Sequence, residues 1–158
     1  MYNVTMGIDQ SLSCSGVVLF LEDDVIHHKT IKTSKDDGSL FKRCAMISKE
    51  IDALMRQYAV TDVNIEGLSF GMSRGNVTRD LAALQGVIIT NILTNYDIEC
   101  KIVAPKAVKK FATGSGKATK PEMIESVPDE IMDKFKASGH KKTTGLADLA
   151  DAYWIGRF

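Results

Sequence analysis

The sequence predicts an α/β domain built on a mixed five-stranded sheet with flanking helices. Three apolar segments separated by short polar turns open the chain, which is typical of an antiparallel meander. Two later apolar segments each follow a segment with helical periodicity, and a helical crossover returns a strand parallel to its neighbour. Because the 158 residues show no repeat and no shift in composition, we expect one domain over residues 1–158.

The opening meander accounts for three of the five strands. Val4–Asp9 and Cys14–Leu21 are predicted as the first two strands, joined by a small polar turn, and Val25–Ile31 as the third. Residues 22–24 form the second turn, and residues 33–39 form a polar loop. Asp9 therefore stands where the first strand meets its turn.

A long helix follows the meander. Its apolar residues recur at spacings of three and four, so they form one stripe along a helix of about five turns. They are Leu40, Cys44, Ile47, Ile51, Leu54, Met55 and Tyr58. Either Asp37 or Ser39 could cap the start of this helix. The next strand, Asp62–Glu66, also ends in an acid, and the intervening helix predicts that it runs parallel to the first strand.

The second half of the chain alternates helices with one more strand. After a glycine-bearing loop over residues 67–76, small residues in the next helix allow close packing. The predicted elements are a helix over Val77–Asn95, a strand over Glu99–Val103, helices over Pro105–Phe111, Pro121–Val127 and Asp129–Ala137, and a last helix over Gly145–Arg157. Thr144 could cap the last helix.

The charges are balanced overall but unevenly distributed. The 20 basic and 20 acidic residues give a formal net charge of zero, which argues against a uniformly basic nucleic-acid binder. Residues 101–120 contain six lysines and no acid, whereas residues 122–133 contain five acids and no base. One basic face could hold a polyanion while acids elsewhere serve another purpose.

The cysteines and the apolar segments indicate a cellular compartment. Cys14, Cys44 and Cys100 are scattered without a CxxC spacing, so they indicate small apolar side chains in a reducing environment. The apolar run over residues 17–21 is too short for a signal peptide or a membrane span. We therefore expect a cytoplasmic protein without membrane association.

Four acids form the candidate catalytic and metal-binding set. Asp9 and Glu66 end two strands that we expect to be adjacent and parallel, so their carboxyl groups lie at the sheet edge where ligands usually bind. Asp148 and Asp151 share one face of the last helix and are surrounded by apolar residues. Several carboxylates in one place need a compensating cation, and oxygen ligands favour Mg²⁺ or Mn²⁺. A pair of such ions about 3.5–4 Å apart is typical of phosphodiester hydrolysis.

Each of these features alone has an ordinary explanation. A single acid at a strand end is more often a turn residue, and two acids on one helix face are usually solvated. The combination favours a site, because one arrangement of the sheet brings all four acids together.

The lysine-rich segment is the candidate phosphate-binding element. Lys109 and Lys120 flank small residues that let a nucleic-acid backbone approach, and we expect both to hold phosphate oxygens beside the metals. Three further lysines would add diffuse attraction that weakens steeply with salt. They are Lys106, Lys110 and Lys117. The ordinary alternative is a solvated helix followed by a linker.

The loop after Glu66 adds an aromatic residue and arginines. Phe70 could stack on an unpaired base or wedge into a DNA branch, or it could pack under the loop as core. Arg74 and Arg79 are expected to contact phosphates.

The histidines match no nucleophile pattern, and we assign them no role. His27 and His28 are neighbours in the third predicted strand, so we expect one ring to be exposed and the other packed. His140 lies in the polar linker before the last helix.

The whole set of motifs resembles the RuvC family of Holliday-junction resolvases, within the RNase H-like superfamily. Their order and spacing carry the resemblance, which extends over nearly the whole chain. The motifs are Gly7-Ile8-Asp9 with Ser15-Gly16, Ile65-Glu66 with Phe70, Asn76 through Leu84-Gln85-Gly86-Val87, Val108-Lys109-Lys110 with Gly114-Ser115-Gly116-Lys117-Ala118-Thr119-Lys120, and Asp148-Leu149-Ala150-Asp151-Ala152.

The resemblance implies an RNase H-like fold and a Mg²⁺-dependent endonuclease with two ions per site. It implies Asp9, Glu66, Asp148 and Asp151 as metal-binding catalytic acids, and a homodimer that nicks two opposed strands of a four-way junction. In the same way it implies Lys109 and Lys120 as phosphate contacts and Phe70 as the base-stacking aromatic.

Some residues depart from the family pattern. The family often has Pro-Gly where this chain has Gln10-Ser11, and Gly67 stands where another acid is common. The lysine-rich linker and short last helix are similar to compact phage members, which cut branched DNA with relaxed sequence preference. Two other functions are open at this point: a nucleotide-binding domain of the actin or sugar-kinase type, and a DNA-structure binder without activity.

Overall fold

The computed structural model describes residues 2–69 and 75–158 of the chain. Its centre is one five-stranded sheet in the order β3-β2-β1-β4-β5. The strands are β1 (Val4–Asp9), β2 (Cys14–Leu21), β3 (Asp24–Lys32), β4 (Asp62–Glu66) and β5 (Lys101–Val103). The first three pair antiparallel, and β1, β4 and β5 run parallel. The predicted meander with two added parallel strands is therefore confirmed.

Helices cover both faces of the sheet. They are α1 (Leu40–Tyr58), α2 (Gly75–Tyr96), α3 (Pro105–Thr113), α4 (Lys120–Ser126), α5 (Asp129–Ala137) and α6 (Leu146–Arg157). A short 3₁₀ turn occupies Lys35–Asp37. Each helix overlaps a predicted one, and none in the described parts of the chain has the length and apolar character to cross a membrane.

The alternation of side chains along the strands builds two separate cores. Met6 and Ile8 on β1 face α1 and α2, where Ile51 and Ile88 are fully or almost fully buried. On the other face, β2 contributes Phe20 to a second core with α5 and α6. The sheet is therefore buried on both sides, and α6 crosses the second face.

Helix α6 lies so close to the sheet that side chains are excluded at the crossing. A Cβ atom at Gly7 would overlap the carbonyl oxygen of Ala152, and one at Gly16 would overlap that of Asp148. Backbone contact thus fixes α6 on β1 and β2, with its first turn at the carboxyl end of β1.

Two local predictions were resolved by the structure. Ser39 caps α1, because its hydroxyl accepts from the backbone N–H of Lys42 at 3.3 Å, whereas Asp37 belongs to the preceding 3₁₀ turn. The prediction that Thr144 caps α6 was wrong: Gly145, with φ of +99°, occupies the cap position. Thr144 instead closes a tight turn by donating its backbone N–H to the carbonyl of Lys141 at 2.9 Å.

The expectation for the paired histidines was also wrong in part. His27 stacks on Tyr58 with ring centroids 4.9 Å apart, and His28 meets the edge of Phe135 at 4.9 Å. Both rings are half-buried, one on each face of β3, so neither is freely exposed.

Candidate active site

The carboxyl ends of β1 and β4 bring two acids side by side. The parallel register pairs Ile8 with Ile65, so the next residues, Asp9 and Glu66, are neighbours at the sheet edge. Asp9 is only 8% exposed, and its carboxyl group shares a hydrogen bond with that of Glu66. The predicted convergence of these two acids is present in the structure.

Helix α6 adds the other two acids to the same place. Asp148 lies in the first turn of α6 and Asp151 one turn further along, and both are half-buried. Their charges act on Asp9, which places all four carboxyl groups within electrostatic reach of one another. The crossing of α6 over Gly7 and Gly16 is what fixes this position.

The pKa values record the cost of this crowding. Burial raises the pKa of Asp9 well above its ordinary value, and the charges of Glu66, Asp151 and Asp148 raise it further. Burial first, then Glu66 and Asp148, raise the pKa of Asp151 to about 7. Burial also raises the pKa of Glu66, although the hydrogen bond from Asp9 and the charge of Lys109 oppose this. Four ionised carboxylates are therefore stable together only with compensating positive charge.

The chemistry of this donor set fits a hard divalent cation. All four side chains offer carboxylate oxygens, the ligands that Mg²⁺ and Mn²⁺ prefer. Across residues 2–69 and 75–158, however, no three His, Cys, Asp or Glu side chains are already arranged to hold a metal ion. The Asp9–Glu66 hydrogen bond occupies oxygens that a cation would need, so binding requires loss of that proton and rotation of side chains.

A cavity of about 300 Å³ opens beside the acids. Glu66 and Asp151 line it together with Lys109 from α3 and Lys120 from the first turn of α4. The charges of both lysines oppose the rise in the pKa of Asp151. The two lysines predicted to contact phosphate thus lie beside the acids, in a cavity open to a ligand.

The other predicted DNA contacts are placed differently. Lys106, Lys110 and Lys117 are exposed and do not line the cavity. Arg79 is ion-paired with its neighbour Asp80 at 3.0 Å. Phe70 and Arg74 lie outside the residues that the structure describes.

Two glutamines were missed by the sequence analysis. Gln10 and Gln85 both donate a side-chain amide N–H to the backbone carbonyl of Glu66, at 3.4 and 3.1 Å, and so hold the end of β4. Gln10 is 6% exposed and lines the cavity, and within the described residues its Oε1 is a buried acceptor without a partner. A polar residue directly after a strand-end acid was the available signal, and the sequence analysis noted it only as a departure from the family.

Cys14 also proved to border the site. Its thiol hydrogen-bonds to Asp148; burial and then the Asp148 charge raise the pKa of Cys14 to about 12, against an opposing effect of Lys32. The sequence indicated only a small apolar residue here. The contact ties the start of β2 to the first turn of α6.

Comparison with known proteins agrees with this geometry. A family model described as crossover junction endodeoxyribonuclease RuvC matches residues 5–151. A protein of that name from Brachyspira hyodysenteriae is 28% identical over 128 residues, which cover 78% of each chain.

Solved structures show the same fold. The chain is similar to RuvC of T. thermophilus in complex with a Holliday junction substrate, with a TM-score of 0.75, 19% identity, and coverage of 98% of this chain and 90% of that one. It is also similar to the yeast mitochondrial Holliday junction resolvase Ydc2, with a TM-score of 0.65, 14% identity, and coverage of 96% and 75%. These likenesses confirm the predicted RNase H-like arrangement.

Proposed function

Because the chain belongs to the RuvC family of crossover junction endodeoxyribonucleases, we propose that it is an endonuclease that resolves four-way DNA junctions. The observation that supports this best is the meeting of Asp9, Glu66, Asp148 and Asp151 at one sheet edge, beside a cavity that also presents two lysines. Hydrolysis would leave 5′-phosphate and 3′-hydroxyl ends. Flaps and forks are further candidate substrates of the same chemistry.

RuvC-family nucleases are metal-dependent, and we propose a pair of Mg²⁺ ions, replaceable by Mn²⁺, held by the four acids. Two bound ions would supply an activated water and stabilise the leaving oxygen. The chain's own part is to hold the carboxylates ionised and in place. The contacts of Gln10 and Gln85 with the Glu66 backbone serve that purpose.

Lys109 and Lys120 are proposed to bind the oxygens of the phosphate that is cut. Both line the cavity that Glu66 and Asp151 share, so a phosphate there would contact an ammonium group and lie beside the acids. Diffuse attraction is assigned to Lys106, Lys110, Lys117 and Arg79. Base stacking by Phe70 and phosphate contact by Arg74 remain predictions.

A homodimer would match the two-fold symmetry of a four-way junction, because two equivalent sites meet two equivalent strands. The outer face of α2 supports this assembly. From Leu81 to Tyr96 the helix carries no charged residue, and a shallow groove on it is lined by small or uncharged side chains. They include Ala82, Ala83, Gly86, Val87 and Thr90. We expect such a protein to act in the cytoplasm of a bacterial or phage-infected cell.

The test is incubation of the purified protein with a synthetic four-way junction and, separately, with linear duplex of the same sequence, each in Mg²⁺ and in EDTA. Paired nicks on opposed strands of the junction, mapped to 5′-phosphate ends and dependent on Mg²⁺, are expected. Equal cutting of the linear duplex would refute junction selectivity, and cutting that survives Asp9→Asn would assign the activity to a contaminant.

A further inference from the structure

The four acids have lysines on two sides, and only one side has a role so far. Lys109 and Lys120 act on Glu66 and Asp151. We propose that Lys32, Lys141 and Lys142 form a second binding surface, the β3-side surface, for the DNA backbone leaving the acids past Asp148. This inference rests on the proposed nuclease function and names where its substrate continues.

Lys32 is placed next to Asp148 by the sheet. The antiparallel register pairs Lys32, the last residue of β3, with Cys14, the first residue of β2. The thiol of Cys14 in turn contacts the carboxyl group of Asp148. The end of β3 therefore borders the acids on the side away from α3 and α4.

Lys141 and Lys142 occupy a tight turn that leads directly into α6. Lys141 and Thr144 exchange backbone hydrogen bonds at 3.4 and 2.9 Å, and the N–H of Leu146 donates to the carbonyl of Lys141 at 3.3 Å. Leu146 is the first residue of α6, and Asp148 lies in the first turn. The two lysines are thus held about one helical turn from an acid of the site.

The ring of His140 fixes this turn to the sheet. Its Nδ1 lies 3.2 Å from the carbonyl oxygen of Phe135, and its Nε2 lies 3.1 Å from the hydroxyl of Thr30. Thr30 pairs with Gly16, whose backbone packs against Asp148. Gly145 has a φ of +99° and no room for a Cβ between His140 and Thr30, so the turn depends on glycine there. The lysines project from a braced turn rather than from a loose linker.

The three ammonium groups are available to a ligand. All three residues are exposed, and within the described residues none has an ion-pair partner within 4.0 Å. Other lysines nearby differ, since Lys29 pairs with Glu50 and Lys134 with Glu130. Unpaired cations beside a phosphodiester-cleaving centre can neutralise phosphates without first breaking an ion pair.

The measurement is the salt dependence of junction binding in an Asp9→Asn background, which prevents cutting. Removing two phosphate contacts with Lys141→Gln and Lys142→Gln should reduce the slope of log K against log salt by about 1.8. The affinity advantage of the parent protein over the variant would therefore shrink about twelve-fold between 50 and 200 mM salt. Lys32→Gln alone should reduce the slope by about 0.9.

A matched control removes the same charge elsewhere. Arg56 lies in the last turn of α1 and Lys101 begins β5, both at the opposite edge of the sheet from Glu66. Arg56→Gln with Lys101→Gln should leave the slope within about 0.3 of the parent value, because neither faces the proposed path.

A second arm locates the contact on the DNA. Methylphosphonates, which carry no charge, replace phosphates on one side of the cut or on the other. One side should weaken the parent protein but not the Lys141→Gln and Lys142→Gln variant. Equal slopes for this variant and the control, or equal sensitivity to both substituted sides, would overturn the β3-side surface while junction cutting remained intact. Absence of cutting by the wild-type chain would instead refute the proposed function and this inference with it.

Discussion

At the scale of single residues, the site was predictable where its chemistry follows from strand ends and missed where it follows from contacts. Asp9 and Glu66 could be found because each is a lone acid ending an apolar strand. Gln10 and Cys14 could not be placed, since their roles depend on which backbone carbonyl and which carboxyl group lie opposite them. Spacing along a strand or helix gives position, but not the partner across space.

Asp9→Asn or Glu66→Gln should abolish junction cutting, with a loss of at least 100-fold in rate, because each removes a metal-binding oxygen. Junction binding should persist or improve, since repulsion between the acids and phosphate is relieved. Cleavage kinetics and gel-shift titration measure the two effects. The matched control is Asp129→Asn on α5, an exposed acid whose loss should change neither.

The carboxyl crowding should also make stability depend on pH when no divalent cation is present. Folded Asp9 and Asp151 have raised pKa values, so between about pH 4 and pH 7 the folded chain binds more protons than the unfolded chain. The free energy of unfolding in EDTA should therefore fall as pH rises from 5 to 8, by about 2 to 3 kcal/mol. Urea denaturation at the two pH values tests this.

Two comparisons isolate the carboxyl contribution. Asp151→Asn should flatten the fall, and Mg²⁺ should reverse it, because the cation binds the folded chain alone. Burial lowers the pKa values of His27 and His28, so these residues act in the opposite direction and favour the folded state as pH rises. An EDTA profile that rises with pH in both proteins would contradict the prediction.

At the scale of elements, periodicity predicted the strands and helices, and local backbone chemistry decided their ends. The apolar stripe of α1 predicted its bounds of Leu40 and Tyr58, and Ser39 serves as its cap. The start of α6 was misplaced because a turn closed by Thr144 and Lys141 takes the residue that would otherwise cap. The close approach of α6 to the sheet was also unpredicted, since glycines in a strand do not reveal what packs on them.

Gly7→Ala should destabilise the chain by about 3 kcal/mol, because the added methyl would overlap backbone atoms of Ala152 and Gly156, which cannot move independently. Mg²⁺ binding should weaken too, since α6 carries two of the acids. Gly75→Ala is the control: nothing lies within 4 Å of its added Cβ, so stability should change by no more than about 0.5 kcal/mol. Chemical denaturation and calorimetric Mg²⁺ titration give both readings, and equal stabilities would refute the packing argument.

At the scale of the whole molecule, strand order followed from connection rules, whereas assembly requires a second chain. A helix between β1 and β4 predicted that they are parallel neighbours, and this pairing sets the two strand-end acids side by side. The uncharged outer face of α2 was visible in the sequence, but its exposure became clear only once α1 was seen to cover the opposite face.

Gly86→Glu should shift the chain from dimer to monomer at micromolar concentration, because a carboxylate would be buried against a second α2. Light scattering coupled to size exclusion measures the mass. Ala53→Glu, on the exposed side of α1, adds the same charge and should leave the dimer intact. A monomeric wild-type chain, or a dimer unaffected by Gly86→Glu, would exclude α2 as the interface.

The crossing of α6 over Gly7 and Gly16 has a consequence for biosynthesis. Asp9 and Glu66 leave the ribosome early, whereas Asp148 and Asp151 arrive on the last helix and reach them only when it docks. A nascent chain therefore holds half of its cutting centre and stays harmless to DNA. Toxicity of the growing polypeptide is avoided by the order of translation itself.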